Sequence, residues 1–226
     1  MAIFSPSESP AITGVVPNVQ STTGAIVGNY RWGPVREATR VSTETELAAK
    51  FATPSSTSAV DFLSAAYYLR YSSTLYVIRE VTSAAYNATS TGSPNLTIRN
   101  KNHFDTLDGT FGTDSGDTDS GSFIARYPGS LGNSLKVSVC PVGSDSGGTY
   151  FSQWTYRTQF DDAPGTSDYA NTRSGTNDEV HVVVIDEDGL FSGTPGSILE
   201  RYAFVSLASD ARTNDGSSNY AKDVIN

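Results

Sequence analysis

The sequence predicts a mixed α/β (α+β) fold. A strand, two helices and a second strand form a crossover unit with a mixed β-sheet, joined to a β-rich polar insertion and an extended N-terminal arm. Three observations carry this expectation. Short β-branched runs bracket a stretch with helical periodicity between residues 43 and 69. The segment 82–122 turns abruptly polar. The first twenty residues hold Pro6, Pro10 and Pro17, which fix φ and withhold donors, so a helix is excluded there. The chain accordingly divides into an arm (1–20), an α/β body (21–81 and 123–226) and a surface insertion (82–122).

Within the arm, Ala11-Ile12-Thr13-Gly14-Val15-Val16 alternates imperfectly, and Pro17 removes a ladder hydrogen bond. Those features suit a terminal or edge strand; a frayed terminus is the other reading left open. Thr23 to Tyr30 is a run of small apolar residues bounded by glycines, followed by the breaker Arg31-Trp32-Gly33-Pro34, which reads as a buried strand and a turn. Thr43-Glu44-Thr45-Glu46 has the spacing of a capping box ahead of Leu47-Ala48-Ala49-Lys50-Phe51. A second helix opens at Ser58, with Phe62, Leu63, Ala66, Tyr67 and Leu69 on its inward face. Leu75 to Val81 is dense in β-branched and aromatic residues and reads as a central strand. The order strand, helix, helix, strand implies parallel pairing through a crossover.

Beyond the insertion, order returns at Phe123-Ile124-Ala125-Arg126-Tyr127, then the turn Pro128-Gly129-Ser130-Leu131-Gly132-Asn133 and the alternating strand Leu135 to Val139. Tyr150 to Arg157 is an aromatic strand candidate. Glu179 to Ile185 is the most apolar run in the chain, and its unbroken β-branched character predicts burial on both faces. Asp186-Glu187-Asp188-Gly189 turns the chain toward an antiparallel partner at Ile198 to Leu207, and a helix opens near 219–226.

Composition excludes several chemistries. One cysteine forbids an internal disulfide framework or a Cys-rich zinc site, and Cys140 reads as a small reduced core residue. The net charge of -9 opposes binding to phosphate backbones. No window approaches the ~20 apolar residues of a membrane span, and the start lacks the pattern of a signal peptide, so a soluble cytosolic product is expected. Ser and Thr fill 56 of the 226 positions, supplying polarity without ionisation and favouring strands and turns over long helices.

Candidate chemistry is sparse. Asp105, Asp108, Asp114, Asp117 and Asp119 offer hard oxygens, but calcium-loop spacing would need a distal Glu where Pro128 stands. A solvated acidic loop is the reading. His181 lies inside the apolar run, where a hydrogen-bonded strand residue is expected rather than a general base; His103 lies in the polar insertion and is expected to be exposed. Nucleophile elbow, Walker loop, dinucleotide fingerprint and zinc-helix motifs do not occur in the chain. Asn87-Ala88-Thr89 and Asn95-Leu96-Thr97 match the glycosylation pattern and read as chance matches in a Ser/Thr-rich chain.

Four stretches in order resemble the N-terminal portion of contractile tail sheath proteins of phages and related injection machines. TGAIVGNYRWGPVREATRVSTETELAAKF (23–51) resembles the opening strand, Gly-Pro turn and first helix of that family. AVDFLSAAYYLRYSSTLYVIREV (59–81) resembles its next helix and a strand ending in Val-Ile-Arg. ARYPGSLGNSLKVSV (125–139) is similar to its Pro-Gly turn between strands, and 198–207 with 219–226 to its late hairpin strand and helix start. Family chains are much longer, so the resemblance implies a body truncated on its C-terminal side. It also implies that 82–122 stands, short and polar, where many relatives insert a protruding domain.

The resemblance implies a structural subunit that polymerises as stacked hexameric rings around a tail tube and contracts to drive the tube through the host envelope. Its implied partners are copies of itself, the tail tube protein, and baseplate and tail terminator proteins, without direct nucleic-acid contact or membrane insertion. Its implied location is the virion tail, after assembly in the host cytoplasm. No cofactor, metal or catalytic residue is carried over. Ile12, Val15, Val16 and Val19 are the expected intersubunit residues, adding a strand to a neighbouring subunit's sheet. Two other readings stand beside this one: a β-rich adhesin or carbohydrate-binding module, motivated by the aromatic and Asp-rich stretches, and a carboxylate-based hydrolase.

Overall fold

The computed structural model describes residues 23–90, 96–107, 123–143 and 149–226. Two three-stranded sheets organise them. The first contains β1 (Thr23–Gly28), β2 (Thr39–Val41) and β3 (Thr74–Arg79), in the order β1-β3-β2. β1 and β3 run parallel, from Thr23 opposite Thr74 to Gly28 opposite Arg79, while β2 pairs antiparallel with β3. The expected crossover passes through α1 (Glu44–Phe51) and α2 (Ala59–Leu69). The short β2 carries only Thr39-Arg40-Val41, too few residues to display a period.

α1 starts where the capping spacing places it. Thr43 Oγ1 accepts from the Glu46 amide at 3.1 Å, satisfying one of the unpaired donors of the first turn. The returning half of the box is shifted by one residue: the Glu46 carboxylate accepts from the amide and hydroxyl of Ser42, at 2.8 and 2.6 Å. With Lys50 at 2.8 Å as a further partner, these bonds hold the Glu46 carboxyl at about 2. The helix stops at Ala52, whose φ of 62° breaks the helical path. Leu47 and Phe51 enter a core with Tyr30, Val41, Phe62, Ala65, Ala66, Leu75 and Val77, each large member contributing roughly 2 kcal/mol by leaving water.

α2 is rotated relative to the sequence expectation. Phe62, Ala65 and Ala66 face inward, whereas Leu63 and Tyr67 face solvent. A helix that is apolar nearly all round gives no rotational signal, and the small Ala65 and Ala66 let the helix lie close on its sheet. Ser58 is the N-cap residue but does not cap with its side chain, whose Oγ instead accepts from the Ser55 amide at 2.9 Å.

The second sheet is an antiparallel meander of β4 (Leu135–Pro141), β5 (Glu179–Asp186) and β6 (Ser197–Ser206). β5 is buried on both faces, as its run of Val and Ile predicts. One face packs Val183 and Ile185 against Phe160, Trp154, Phe151 and Tyr156; the other packs Val180 and Val182 against Val205, Phe123 and the helix Ala221–Ile225.

The aromatic segment expected as a strand folds instead as α4 (Thr149–Gln153) and a 3-10 turn at Arg157–Gln159. Packing of Phe151, Trp154 and Phe160 over β5 overrides their strand propensity. The described part of the insertion is likewise not β-rich. It forms α3 (Lys101–Leu107) and irregular backbone, paired with the following segment through an isolated bridge between Thr89 and Ile124. Residues 123–127 accordingly form no strand beyond that bridge. Asn87, buried, organises the irregular part: its Nδ2 donates to the Ile98 and Ala125 carbonyls and its Oδ1 accepts from the Ile98 amide at 2.7 Å. With its amide so engaged, Asn87 presents no accessible glycosylation acceptor.

Candidate functional site

The most organised polar site joins the two sheets. It begins at Arg79, the last residue of β3, whose side chain is buried although it carries a charge. Its Nε donates to the Tyr30 carbonyl at 2.7 Å and one terminal nitrogen to the Gly33 carbonyl at 2.9 Å. The other terminal nitrogen donates to Arg31 O at 3.2 Å and to Pro128 O at 2.8 Å. All four acceptors are backbone carbonyls, so dipoles rather than a counter-ion offset the desolvation of the guanidinium. Burial lowers its pKa to about 10, leaving it a cation at neutral pH.

Two glycines make room for this arrangement. Gly33 has φ +102°, and a Cβ there would fall 2.7 Å from the Phe51 ring. Gly129 has φ +130°, and its Cβ would meet the Arg79 guanidinium at 3.0 Å. Both positions require a backbone that other L-residues rarely adopt. Trp32, next to Gly33 in the chain, sets its ring edge-on to Tyr127 and Phe191, with centroids 5.4 and 5.0 Å away.

Phe191 is in turn held by Asp186, at the end of β5. The buried Asp186 carboxylate accepts from Ser134 Oγ (2.6 Å), the Leu190, Phe191 and Ser192 amides (2.9, 2.9 and 2.7 Å) and Ser192 Oγ (2.8 Å). Burial opposes its ionisation, but these donors outweigh that cost and hold the carboxyl at about 2. From Arg79 through Trp32 and Phe191 to Asp186, a run of contacts thus links the two sheets.

His181 lies inside the second sheet, fully buried and stacked on Phe160 at 4.2 Å, with Phe204 edge-on at 4.5 Å. The Phe204 amide donates to Nδ1 at 3.1 Å, and Nε2 faces the Asp162 carbonyl at 2.9 Å. The ring is therefore the neutral tautomer protonated at Nε2, with its pKa lowered by burial. A bulge in β6, where Phe204 has φ 54°, turns that amide toward the imidazole. With both nitrogens committed to backbone and the ring buried between Phe160 and Phe204, His181 serves packing rather than proton transfer.

The other predicted positions fall partly within and partly outside the described residues. Ile12, Val15, Val16 and Val19 lie outside the described residues, as do Asp108, Asp114, Asp117, Asp119 and Asn95. Asp105 lies on α3 and pairs with Lys101 at 2.7 Å. Among the described residues no three His, Cys, Asp or Glu side chains converge to hold a metal ion. His103 is half-buried rather than exposed, its Nδ1 accepting from the Arg99 amide at 3.2 Å near the start of α3. Cys140 is buried, and burial raises its thiol pKa.

Residue reasoning did not single out Arg79 or Asp186. One signal pointed to Arg79: an arginine closing the apolar run Leu75-Tyr76-Val77-Ile78. The three segments that meet around it, 31–34, 77–79 and 128–133, are all among the stretches that carry the family resemblance.

No protein-family model matches the chain. It is similar to the tail sheath protein of Salmonella phage ViI, with 37% identity over 176 residues, 77% of this chain. It is also similar to the tail sheath protein of Enterobacteria phage T4, with 31% identity over 84 residues, 36% of this chain. The chain spans about a quarter of the length of the ViI protein (24%) and 13% of the T4 protein. The chain is a relative of the tail sheath proteins of phages, matched to them over a fraction of their length.

Proposed function

We propose that this protein is a structural, non-enzymatic subunit of a contractile phage tail sheath. Copies polymerise as stacked hexameric rings around a tail tube, and their contraction drives the tube through the host envelope. The observation that carries the reading is the convergence of three family-like segments on Arg79. A sheath subunit must change its packing against neighbours while staying nearly rigid itself, and a buried staple between two sheets supports that rigidity. The aromatic stretch that motivates an adhesin is packed around β5, with Trp154 Nε1 donating to Ser138 Oγ at 2.8 Å, rather than presented as a binding platform.

On this reading residues 1–20 form the linking arm, 21–81 with 123–226 the sheath body and 82–122 a surface insertion. Ile12, Val15, Val16 and Val19 add a strand to a neighbouring sheet, where backbone hydrogen bonds survive while flanking residues hinge. Tube, baseplate and tail terminator proteins are the other partners, the virion tail is the location, and assembly takes place in the host cytoplasm. Deletion of residues 1–20 is expected to leave a folded chain that no longer polymerises, scored by negative-stain microscopy for sheathed tails or tubes. Normal contractile tails from that deletion would refute the role of the arm.

A further inference from the structure

We propose that Asp215-Gly216 is a modification site held latent by the fold, an aspartyl-glycyl step that Thr213 keeps from converting to isoaspartate. The chain has no Asn-Gly step and three Asp-Gly steps, of which Asp188-Gly189 and Asp215-Gly216 lie among the described residues. Glycine favours this reaction because it has no side chain to shield its amide nitrogen and leaves the backbone free to turn. The Gly216 nitrogen bonds to Cγ of the neutral Asp215 carboxyl and loses its proton, and the carboxyl hydroxyl leaves with that proton as water. One water then opens the resulting cyclic imide. Opening at Cγ restores aspartate. Opening at the former peptide carbonyl routes the chain through Cβ and Cγ, one backbone atom longer, and sets the α-carboxylate outside it.

The two steps are held in different ways. Gly189 is buried, and a Cβ there would stand 2.6 Å from the Pro195 nitrogen, so packing clamps that backbone. Gly216 belongs to a turn in which residues 212–217 are all exposed, and nothing lies within 4 Å of the place a Cβ would take. Packing restrains nothing there. Hydrogen bonds do: Asp215 Oδ1 accepts from the Thr213 hydroxyl and from the Ser217 amide at 3.1 Å, and the Gly216 amide donates to the Thr213 carbonyl at 2.9 Å. Donors to the carboxylate favour its ionised, unreactive form and lower its pKa. Thr213 thus restrains both reactants, the carboxylate through its side chain and the attacking nitrogen through its main chain.

The turn carries the end of β6. The Thr213 amide donates to the Ser217 carbonyl at 3.0 Å, Arg212 and Ser218 form an antiparallel bridge, and the Asn219 amide donates to the Ala211 carbonyl at 3.0 Å. Asn219 then bonds β6 twice, its Nδ2 donating to the Phe204 carbonyl at 3.0 Å and its carbonyl accepting from the Ser206 amide at 2.8 Å. An extra backbone atom at residue 215 puts the two sides of this turn out of register and loosens that attachment.

The test incubates the full chain at neutral pH as wild type, Thr213→Val and Thr213→Ser, and locates isoaspartate by peptide mass mapping with electron-transfer fragmentation. Valine keeps the shape of threonine without its hydroxyl; serine keeps the hydroxyl. Isoaspartate is expected at residue 215 roughly tenfold faster in Thr213→Val, the effect of losing one hydrogen bond to a charged group. Thr213→Ser should match wild type, with residue 188 unchanged in all three. A second measurement needs no variant: in urea the wild-type chain should isomerise at residues 188 and 215 alike, both faster than when folded. Equal rates at residue 215 in wild type and Thr213→Val, a Thr213→Ser chain as fast as Thr213→Val, or no slowing of residue 215 on folding each overturns the inference. All three outcomes leave the sheath reading intact, because the site is read within one chain.

Discussion

The two sheets differ in how much polarity they bury, although both leave apolar side chains outside. Around the first, Val27 on β1, Tyr76 on β3 and Leu63 and Tyr67 on α2 are exposed, and Arg79 is the one charged side chain among its described buried residues. Within the second, polar groups are buried: His181, Asp178, Asp186 and Ser206 lie inside or at the ends of the meander. Each of these buried groups has named partners. Asp178 accepts from the Ser167 amide and hydroxyl, at 2.8 and 2.7 Å, and from the Ser206 hydroxyl. A satisfied buried polar network fixes one arrangement of its own chain, and the second half of the molecule holds most of these buried groups.

The largest way to break this comparison is to sever the halves. Arg79→Met leaves four carbonyls without their donor and is expected to destabilise the protein by roughly 3 kcal/mol or more, measured by denaturant unfolding. A second, earlier unfolding transition should appear if the sheets then melt separately. A single transition at the wild-type midpoint would show that Arg79 is not the joint.

A smaller effect is expected from Asp186→Ala, which removes the acceptor of five donors and should cost roughly 2–4 kcal/mol. The acid dependence has a defined sign. The folded carboxyl titrates at about 2, below the ~3.9 of an unfolded aspartate. Its contribution is complete above about pH 4 and is lost as pH falls toward 2. Stability of the variant should therefore fall less than that of wild type between pH 4 and pH 2.

The smallest effect concerns His181. Burial lowers its folded pKa below the unfolded ~6.5, so the unfolded chain binds the extra proton first. Its contribution is present above that pH and declines as pH falls through the lower folded value. His181→Phe should flatten stability against pH in this mildly acidic range, whatever its effect at neutrality. An unchanged slope would mean the ring is not buried as a neutral base.

Legibility followed the same division. The crossover of the first sheet was readable because β-branched runs, a capping box and helical spacing agree locally. The burial of β5 was readable because Glu179 to Ile185 has no polar interruption except His181. The rotation of α2 was not, because its apolar residues cover most of its circumference and only packing decides which side is inside. The helical form of 149–153 was hidden behind aromatic residues with strand propensity whose real partners lie some thirty residues later, on β5. The joint was hardest to foresee. Arg79 is recognised only when carbonyls from residues 30, 31, 33 and 128 are brought together, and nothing in the local spacing announces a cation bound by neutral groups.

That neutrality has a practical bearing on any particle built from this protein. Because the staple contains no carboxylate, acid has nothing there to protonate, and added electrolyte has no opposite charge to shield. Salt or mild acid would therefore leave this joint between the sheets unweakened, and any acid sensitivity of the fold has to arise elsewhere, as at the carboxylates and the imidazole of the second sheet.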